Sequence, residues 1–237
     1  MKQLFSFITD MMDGKKFDKA LEKGDLGTLM ELLEKNPELV SHKNKEGKQL
    51  IHLAAYQGNN KALKKIIEHG GDMKSSDGEG RTPLHLAAWE GKPDTVKFLL
   101  DRGSNPNGVD SRGQTPLHLA AQKGRMEAIT LLKSKNAHIN AQDKEGMTPL
   151  HLAVQSENFE MIKFLVENQA DVNSTNCDQW TPLHLACSTR KIEIVKYFIE
   201  KGADVNARTK EQWTPLNWAM RKGRNEVAQL LREHGAK

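Results

Sequence analysis

The sequence predicts an all-α repeat solenoid, and three observations lead to that prediction. A heptapeptide, Thr-Pro-Leu-His-Leu-Ala-Ala in its most regular form, recurs along the chain. Its fourth residue stands at positions 52, 85, 118, 151, 184 and 217, so every step is 33 residues. Each copy is followed by a second apolar segment with helical spacing and then by a turn-rich stretch. A fixed period of this length is typical of stacked repeats, in which each unit contacts only its neighbours.

The heptapeptide has the features of a helix start. A threonine at the N-cap accepts a hydrogen bond from a backbone N–H of the first turn, and proline suits the first helical position because no N–H is needed there. In one complete copy, Thr82 therefore caps the helix, Pro83 begins it and His85 is its third residue. The small residues Ala87 and Ala88 allow a second helix to approach closely.

Each unit is predicted to contain two helices and a finger. In the unit of residues 81–113, the first helix covers residues 83–90. The second helix starts near Pro93 and ends before Gly103, a residue type that commonly ends helices. Residues 107–113 then form a turn-rich finger. Neither helix can bury its apolar face alone, so the units are expected to stack.

The repeats divide the chain into one continuous domain. Residues 1–14 have an amphipathic spacing and predict a helix that covers the end of the stack and stops at Asp13-Gly14. The alternative, a membrane or partner anchor, lacks the expected basic face. Residues 15–47 form a degenerate capping unit that starts with a separate short helix around residues 17–21. Six units follow, at 48–80, 81–113, 114–146, 147–179, 180–212 and 213–237, the last being a polar C-terminal cap.

Composition excludes several classes of protein. The chain has 35 Lys and Arg against 31 Asp and Glu, a net charge of +4 that is spread along its 237 residues and does not indicate nucleic acid or a membrane as partner. Its two cysteines form no disulfide framework and favour a reducing compartment. No apolar run approaches the ~20 residues of a membrane span, and residues 1–8 are too short an apolar segment for a secretory signal. We expect a monomeric cytoplasmic protein, with the nucleus as an alternative location.

The period, the Thr-Pro-Leu-His-Leu-Ala core and the ending at residues 202–206, Gly-Ala-Asp-Val-Asn, resemble the ankyrin repeat family over residues 15–237. The resemblance implies helix–turn–helix units with β-hairpin or turn fingers, stacked into a curved solenoid. It also implies binding of proteins through the fingers and the inner faces of the first helices. Gln179 and Gln212 depart from the pattern, because other fingers have glycine there, and we expect these two fingers to turn less sharply.

Two implications of the resemblance depend on the source of the protein. In a eukaryote, Asn140, Asn173 and Asn206 match the finger asparagines that resemble substrates of asparaginyl hydroxylase. In an intracellular bacterium or a virus, the resemblance implies a host-directed effector that acts in the host cytosol.

No catalytic, cofactor or metal site is predicted. Histidines recur at one motif position, namely His52, His85, His118, His151 and His184. Packed helices lie ~8–10 Å apart, whereas each nitrogen ligand must lie ~2 Å from a zinc ion. One ion therefore cannot bind histidines of neighbouring units, and we expect these side chains to form structural hydrogen bonds. The chain also lacks the H-E-x-x-H, C-x-x-C, Walker and G-x-S-x-G motifs, so we expect no enzyme.

Residues that vary between units are predicted to bind the partner. From the resemblance, these positions are the fingertips, the residue before Thr-Pro and the end of the first helix. Aromatic residues and arginine dominate the energetics of rigid binding surfaces. The predicted partner-binding residues are Tyr56, Arg81, Trp89, Arg112, Gln122, Glu145, Met147, Trp180, Trp213 and Arg221.

Two functional hypotheses follow from these positions. The first is a protein–protein interaction module or adaptor with a concave groove, although Trp180 and Trp213 also fit a purely structural role against neighbouring fingers. The second is recognition of a nucleotide or single-stranded nucleic acid, in which bases stack on tryptophan and phosphates contact Lys48 and Arg81. Acidic fingertips oppose the second hypothesis, namely Glu79, Glu145 and Asp178. Binding that weakens steeply with salt would favour it.

Overall fold

Paired helices follow one another along residues 2–237, the part of the chain described by this computed structural model, with side chains described from residue 13 onward. The described residues form α1 (Lys2–Lys23), α2 (Leu26–Lys35), a 3₁₀ turn (Pro37–Ser41), α3 (Leu50–Gln57), α4 (Asn60–Glu68), α5 (Pro83–Glu90), α6 (Pro93–Asp101), α7 (Pro116–Gln122), α8 (Met126–Ser134), α9 (Pro149–Gln155), α10 (Phe159–Glu167), α11 (Pro182–Ala186), α12 (Ile192–Glu200), α13 (Pro215–Arg221) and α14 (Asn225–Glu233). No β-strand occurs among them, so the fingers are formed by turns.

The helices form two layers. The inner helices α3, α5, α7, α9, α11 and α13 each pack against the next inner helix, and each also packs against the outer helix that follows it in sequence. The side chains buried between the layers form one hydrophobic core that extends from Phe17 to Leu231. This arrangement confirms the predicted all-α repeat solenoid.

The N-terminal helix differs from the prediction. Instead of stopping at Asp13-Gly14, α1 continues without a break to Lys23, and the residue that ends it is Gly24, with a φ of 69°. The helix continues past Gly14 because Phe17, which lies on the same helix, is buried in the core. The prediction of a separate short helix around residues 17–21 is therefore wrong. The prediction that residues 1–14 cover the end of the stack concerns side chains that lie mostly outside the described part of the chain.

The histidine of the heptapeptide connects each unit to the next. In one unit, the backbone N–H of Thr148 donates to Nδ1 of His151 over 3.1 Å, and Nε2 of the same ring lies 3.0 Å from the carbonyl oxygen of Trp180. A backbone N–H can only donate and a carbonyl can only accept. The ring must therefore be neutral, with its proton on Nε2.

The same arrangement recurs along the stack. Nε2 lies 3.0–3.1 Å from a carbonyl of the following unit in His85 with Gln114, His118 with Met147 and His184 with Trp213. In the first of the six units, Nε2 of His52 lies 3.2 Å from the carbonyl of Ser75, which belongs to the same unit. All five rings are fully buried, and burial lowers the pKa of each. The structural role predicted for these histidines is confirmed.

The fingers are joined to one another by main-chain hydrogen bonds. One backbone N–H of each finger donates to a carbonyl of the preceding finger over 2.8–3.0 Å, in the pairs Gly78 to Glu46, Ser111 to Glu79, Lys144 to Arg112, Cys177 to Glu145 and Lys210 to Asp178. The row of fingers is therefore held in register by the backbone, whatever side chains the fingertips carry.

The two glutamine fingers turn as sharply as the glycine fingers, which contradicts the expectation from sequence. Gln179 and Gln212 have φ values of 62° and 64°, close to the 75° of Gly146. The backbone N–H of each donates over 2.9 Å to the residue three positions earlier, as in the Gly146 finger. The hydrogen bonds of the turn hold these glutamines in the left-handed region, where a side chain with a Cβ is strained.

Replacing Gln212 by glycine is expected to raise the free energy of unfolding by about 1 kcal/mol, because glycine adopts the left-handed conformation without strain. The measurement is urea-induced unfolding followed by circular dichroism. Gly146→Ala is the matched control and is expected to destabilise, since a Cβ there would lie 2.5 Å from the backbone nitrogen of Cys177. Equal stability of wild type and Gln212→Gly would show that the turn stores no strain.

The buried histidines make stability depend on pH. Burial lowers the pKa of His151 to about 4, whereas an unfolded histidine titrates at about 6.5. The unfolded chain therefore binds more protons between these values, and stability is complete above about pH 6.5 and is lost as the pH falls toward about 4. We expect His151 alone to account for roughly 2 kcal/mol of lost stability at pH 5.

His151→Asn tests this pH dependence with a substitution that the chain already contains. Asn217 occupies the motif position of histidine in the last unit, and its Oδ1 accepts the backbone N–H of Thr214 over 3.2 Å. The variant should keep the cap, lose the hydrogen bond to Trp180 and show a shallower loss of stability between pH 7 and pH 5. Parallel stability curves for variant and wild type would contradict the assignment.

Candidate partner-binding surface

The predicted partner-binding residues lie along what we call the inner surface, formed by the bases and tips of the fingers and the C-terminal ends of the inner helices. At its N-terminal end is a groove of about 400 Å³ between α1, α3 and α5. Tyr56, Arg81 and Trp89 line this groove together, with Lys48 and Leu86 between them. The structure therefore brings three of the predicted residues into one depression.

Two cations of the N-terminal groove, Arg81 and Lys48, form ion pairs within their own fingers. Nε and Nη2 of Arg81 donate to Oδ2 of Asp77 over 3.0 and 2.9 Å, and Nη1 lies 3.1 Å from Glu79. Nζ of Lys48 lies 2.6 Å from the carboxylate of Glu46. These pairs leave little positive charge for a phosphate or a carboxylate of a ligand.

The aromatic residues of this groove differ in exposure. Tyr56 is 45% exposed. The negative charge of the nearby Glu90 carboxylate is the main cause that raises the pKa of the Tyr56 hydroxyl, and partial burial adds to it. Trp89 is half-buried, and Nζ of Lys123 lies 4.2 Å from the centroid of its ring. Tyr56 therefore presents the larger free aromatic surface.

The central part of the inner surface is more polar. Arg112 and Glu145 are exposed at fingertips, and Gln122 is half-buried at the end of α7. Met147, in contrast, is only 4% exposed, so the side chain predicted to contact a partner offers little surface for such a contact. Its thioether lies beneath the next finger, where Nδ2 of Asn176 donates to the sulfur over 3.6 Å.

Three tryptophans meet at the C-terminal end of the inner surface. The ring centroids of Trp180 and Trp218 lie 4.6 Å apart and those of Trp213 and Trp218 lie 6.2 Å apart, both with edge-to-face geometry. Nε1 of Trp218 donates to the hydroxyl of Ser188 over 2.6 Å. The guanidinium carbon of Arg221 lies 5.0 Å from the Trp213 centroid. We call Trp180, Trp213 and Trp218 the tryptophan cluster.

Trp218 was not among the residues predicted from sequence, although it lies at the centre of the cluster. It occupies the fifth position of the heptapeptide, where every earlier copy has leucine. That substitution was the available signal, since an indole in place of a buried leucine enlarges the exposed face of the last inner helix. The prediction missed it because the position was taken as part of the scaffold.

The described residues contain no group of His, Cys, Asp and Glu side chains arranged to bind a metal ion. Burial raises the pKa of the Cys187 thiol, which makes it a poor nucleophile, and Cys177 is the exposed cysteine. Among the described helices, none is both long and apolar enough to cross a membrane.

Comparison with known proteins agrees with this geometry. The family model described as ankyrin repeats matches the chain in three copies, over residues 17–110, 102–176 and 168–237. No curated protein matches the sequence. Ankyrin repeats generally mediate protein–protein interactions, and the family is typically non-enzymatic. Because the matches extend from residue 17 to residue 237, this chain belongs to the ankyrin repeat family.

Proposed function

We propose that this chain is a non-catalytic interaction module or adaptor that binds a partner protein along its inner surface. The observation that carries the proposal is the tryptophan cluster, a half-buried aromatic group held in place by its neighbours. Aromatic side chains that are already immobilised lose little entropy on binding, and such residues supply most of the energy of protein interfaces. The N-terminal groove with Tyr56 and Trp89 provides a second anchor.

The rigidity of the fingers supports docking with little rearrangement. Each finger asparagine connects two units through both ends of its amide, as in Asn140, whose Nδ2 donates to the carbonyl of Gln169 over 3.2 Å. Its Oδ1 accepts the backbone N–H of Asp171 over 2.9 Å. Asn173 and Asn206 form the equivalent pairs with the units that follow them. A preorganised surface of this kind favours rigid-body association.

The spacing of the two anchors suits one extended partner segment. Trp89 and Trp213 are four units apart, which corresponds to about 40 Å for helices packed ~10 Å apart. An extended chain covers that distance with about 12 residues. A standard protein–protein interface, which buries ~1,600 Å² of surface, extends over a comparable distance. We therefore propose a single partner segment that contacts both ends.

The nucleic-acid hypothesis fits this surface less well. Stacked bases need free ring faces, but Arg221 lies against Trp213 and Nζ of Lys222 lies 4.5 Å from the Trp218 centroid. The cations assigned to phosphates, Lys48 and Arg81, are already paired with carboxylates. We propose a protein partner for these reasons.

The proposal includes a monomeric protein in the cytoplasm, or in the host cytosol if the source is an intracellular bacterium or a virus. The positions of the two cysteines support a reducing setting, since Cys187 is buried in the core and Cys177 is exposed on a finger. Size-exclusion chromatography with light scattering measures the oligomeric state.

The proposed function is tested by quantitative capture of partners from lysate of the source cells. A Tyr56→Ala/Trp213→Ala variant should retain the partner at least about 30-fold more weakly than wild type, because the loss of even one anchor costs about 2 kcal/mol in binding. Circular dichroism and urea unfolding establish that the variant is folded. Equal recovery by wild type and variant would place the binding surface elsewhere on the chain.

A matched control comes from the outer helix layer. The guanidinium carbon of Arg102 lies 3.8 Å from the centroid of Phe98 on α6, so this pair repeats the aromatic–cation chemistry away from the inner surface. Phe98→Ala should leave partner recovery unchanged. A loss of recovery with Phe98→Ala equal to that of the double variant would contradict the proposed surface.

A further inference from the structure

We infer that the segment bound at the tryptophan cluster is acidic, a peptide whose carboxylates contact Arg221 and Lys222 while an apolar side chain contacts the indoles. This inference rests on the proposed function and specifies the chemistry of the partner. It is carried by a contrast along the inner surface between Lys48 and Arg81, which are paired with carboxylates, and Arg221 and Lys222, which have no carboxylate partner among the described side chains.

The change of charge begins at one finger position. The side chain that accepts backbone N–H groups of the finger turn is that of Asn44, Asp77, Asp110, Asp143, Asn176 and, with a single N–H, Thr209 in successive fingers. Three fingers therefore have a carboxylate at their base, whereas the first finger and the two fingers directly before Trp180 and Trp213 have a neutral group there.

The loss of the carboxylate leaves the turn unchanged. Oδ1 of Asp143 accepts the backbone N–H groups of Glu145 and Met147, both over 2.9 Å. Oδ1 of Asn176 accepts the equivalent N–H groups of Asp178 and Trp180 over 3.0 and 2.8 Å. Because an amide oxygen serves the turn as well as a carboxylate does, the consequence of the substitution is electrostatic.

The cations at the two ends of the inner surface differ in their ion pairs. Arg81 is held by Asp77 and Glu79, as described above. Among the residues whose side chains are described, no carboxylate forms an ion pair with Arg221 or Lys222, and both cations are exposed. They lie instead against the rings of Trp213 and Trp218. Their charge is available to a ligand.

The carboxylates nearest in sequence to the cluster are engaged at the fingertips. Asp178 lies 4.0 Å from Nζ of Lys210 in an ion pair, and Oε2 of Glu211 accepts the hydroxyl hydrogen of Thr209 over 3.2 Å. These groups stabilise the fingers, and each has a partner on its own finger row. Beside the tryptophan cluster, Arg221 and Lys222 are therefore cations that no described carboxylate engages in an ion pair.

The geometry favours a carboxylate over a phosphodiester chain. A guanidinium presents a planar pair of donors that matches a carboxylate, and an ammonium binds one as a point charge. The two cations already cover indole faces, so a ligand that forms ion pairs with them need not displace them. A base would have to displace them in order to stack. Met220, which is 52% exposed on the same helix, adds apolar surface for a hydrophobic residue of the peptide.

The test uses a displayed library of random peptides, selected against the folded wild-type chain. Peptides selected by wild type should be enriched in Asp and Glu, and the best of them, labelled and measured by fluorescence polarisation, provides the probe. An Arg221→Gln/Lys222→Gln variant should bind this probe about tenfold more weakly. Asn176→Asp, which restores the carboxylate of the earlier fingers with no change of shape, should also weaken binding several-fold.

The control variant removes the same charge from the outer helices. Lys64 and Lys97 are exposed on α4 and α6, so Lys64→Gln/Lys97→Gln changes the net charge equally and should alter probe affinity by less than about twofold. Equal weakening by the two double variants would overturn the inference, because binding would then follow net charge alone. Oligothymidylate that binds more tightly than the probe and competes with it would also overturn it, in favour of nucleic acid.

Failure of this inference is distinguishable from failure of the proposed function. The selected peptides could have no excess of acidic residues and yet bind the Tyr56→Ala/Trp213→Ala variant more weakly than wild type. In that case the inference of an acidic segment is wrong, and the proposed interaction surface is supported. If acidic peptides are selected and their binding is unaffected by both Tyr56→Ala/Trp213→Ala and Arg221→Gln/Lys222→Gln, both proposals are wrong.

Discussion

The buried histidine bridge is the interaction on which the rest of the stack depends. Each ring accepts the N–H of its own helix cap at Nδ1, and four of the five rings donate from Nε2 to a carbonyl of the next unit, as His151 does between Thr148 and Trp180. One neutral side chain thus completes a helix start and joins two units. Because both ring nitrogens lie away from water, the bridge requires the uncharged ring, and the order of the stack is linked to protonation.

This internal scaffold leaves the surface free to vary. The finger backbones are connected by their own hydrogen bonds, and the turn acceptor works with aspartate, asparagine or threonine. Charge can therefore change at the base of a finger without a change in the position of its backbone. Arg81 is paired with Asp77 at the base of its finger, whereas Arg221 lies against Trp213 with no carboxylate partner among the described side chains, and this contrast distinguishes the two ends of the inner surface.

The sequence predicted the features that follow from a repeated local pattern. It did not predict the features that depend on contacts with neighbouring residues in the fold. The helix starts and the buried face followed from Thr-Pro and from apolar spacing. Gly14 was mistaken for a helix end, because its role depends on the burial of Phe17 on the same helix. Gln212 was expected to relax its turn, yet the hydrogen bonds of the finger impose a φ of 64°. Met147 was placed on the surface and is covered by the following finger.

The sequence by itself determined the fold and the hydrogen-bonding role of the histidines, because a 33-residue period with a capped helix in each unit buries its apolar faces when the units stack. Tertiary structure alone decided which varying residues share a surface. Trp180, Trp213 and Trp218 are far apart in the chain and form one cluster only because consecutive units stack in register. Likewise, the charge available to a partner depends on which carboxylates lie within reach of each cation, and that is a property of distances between side chains.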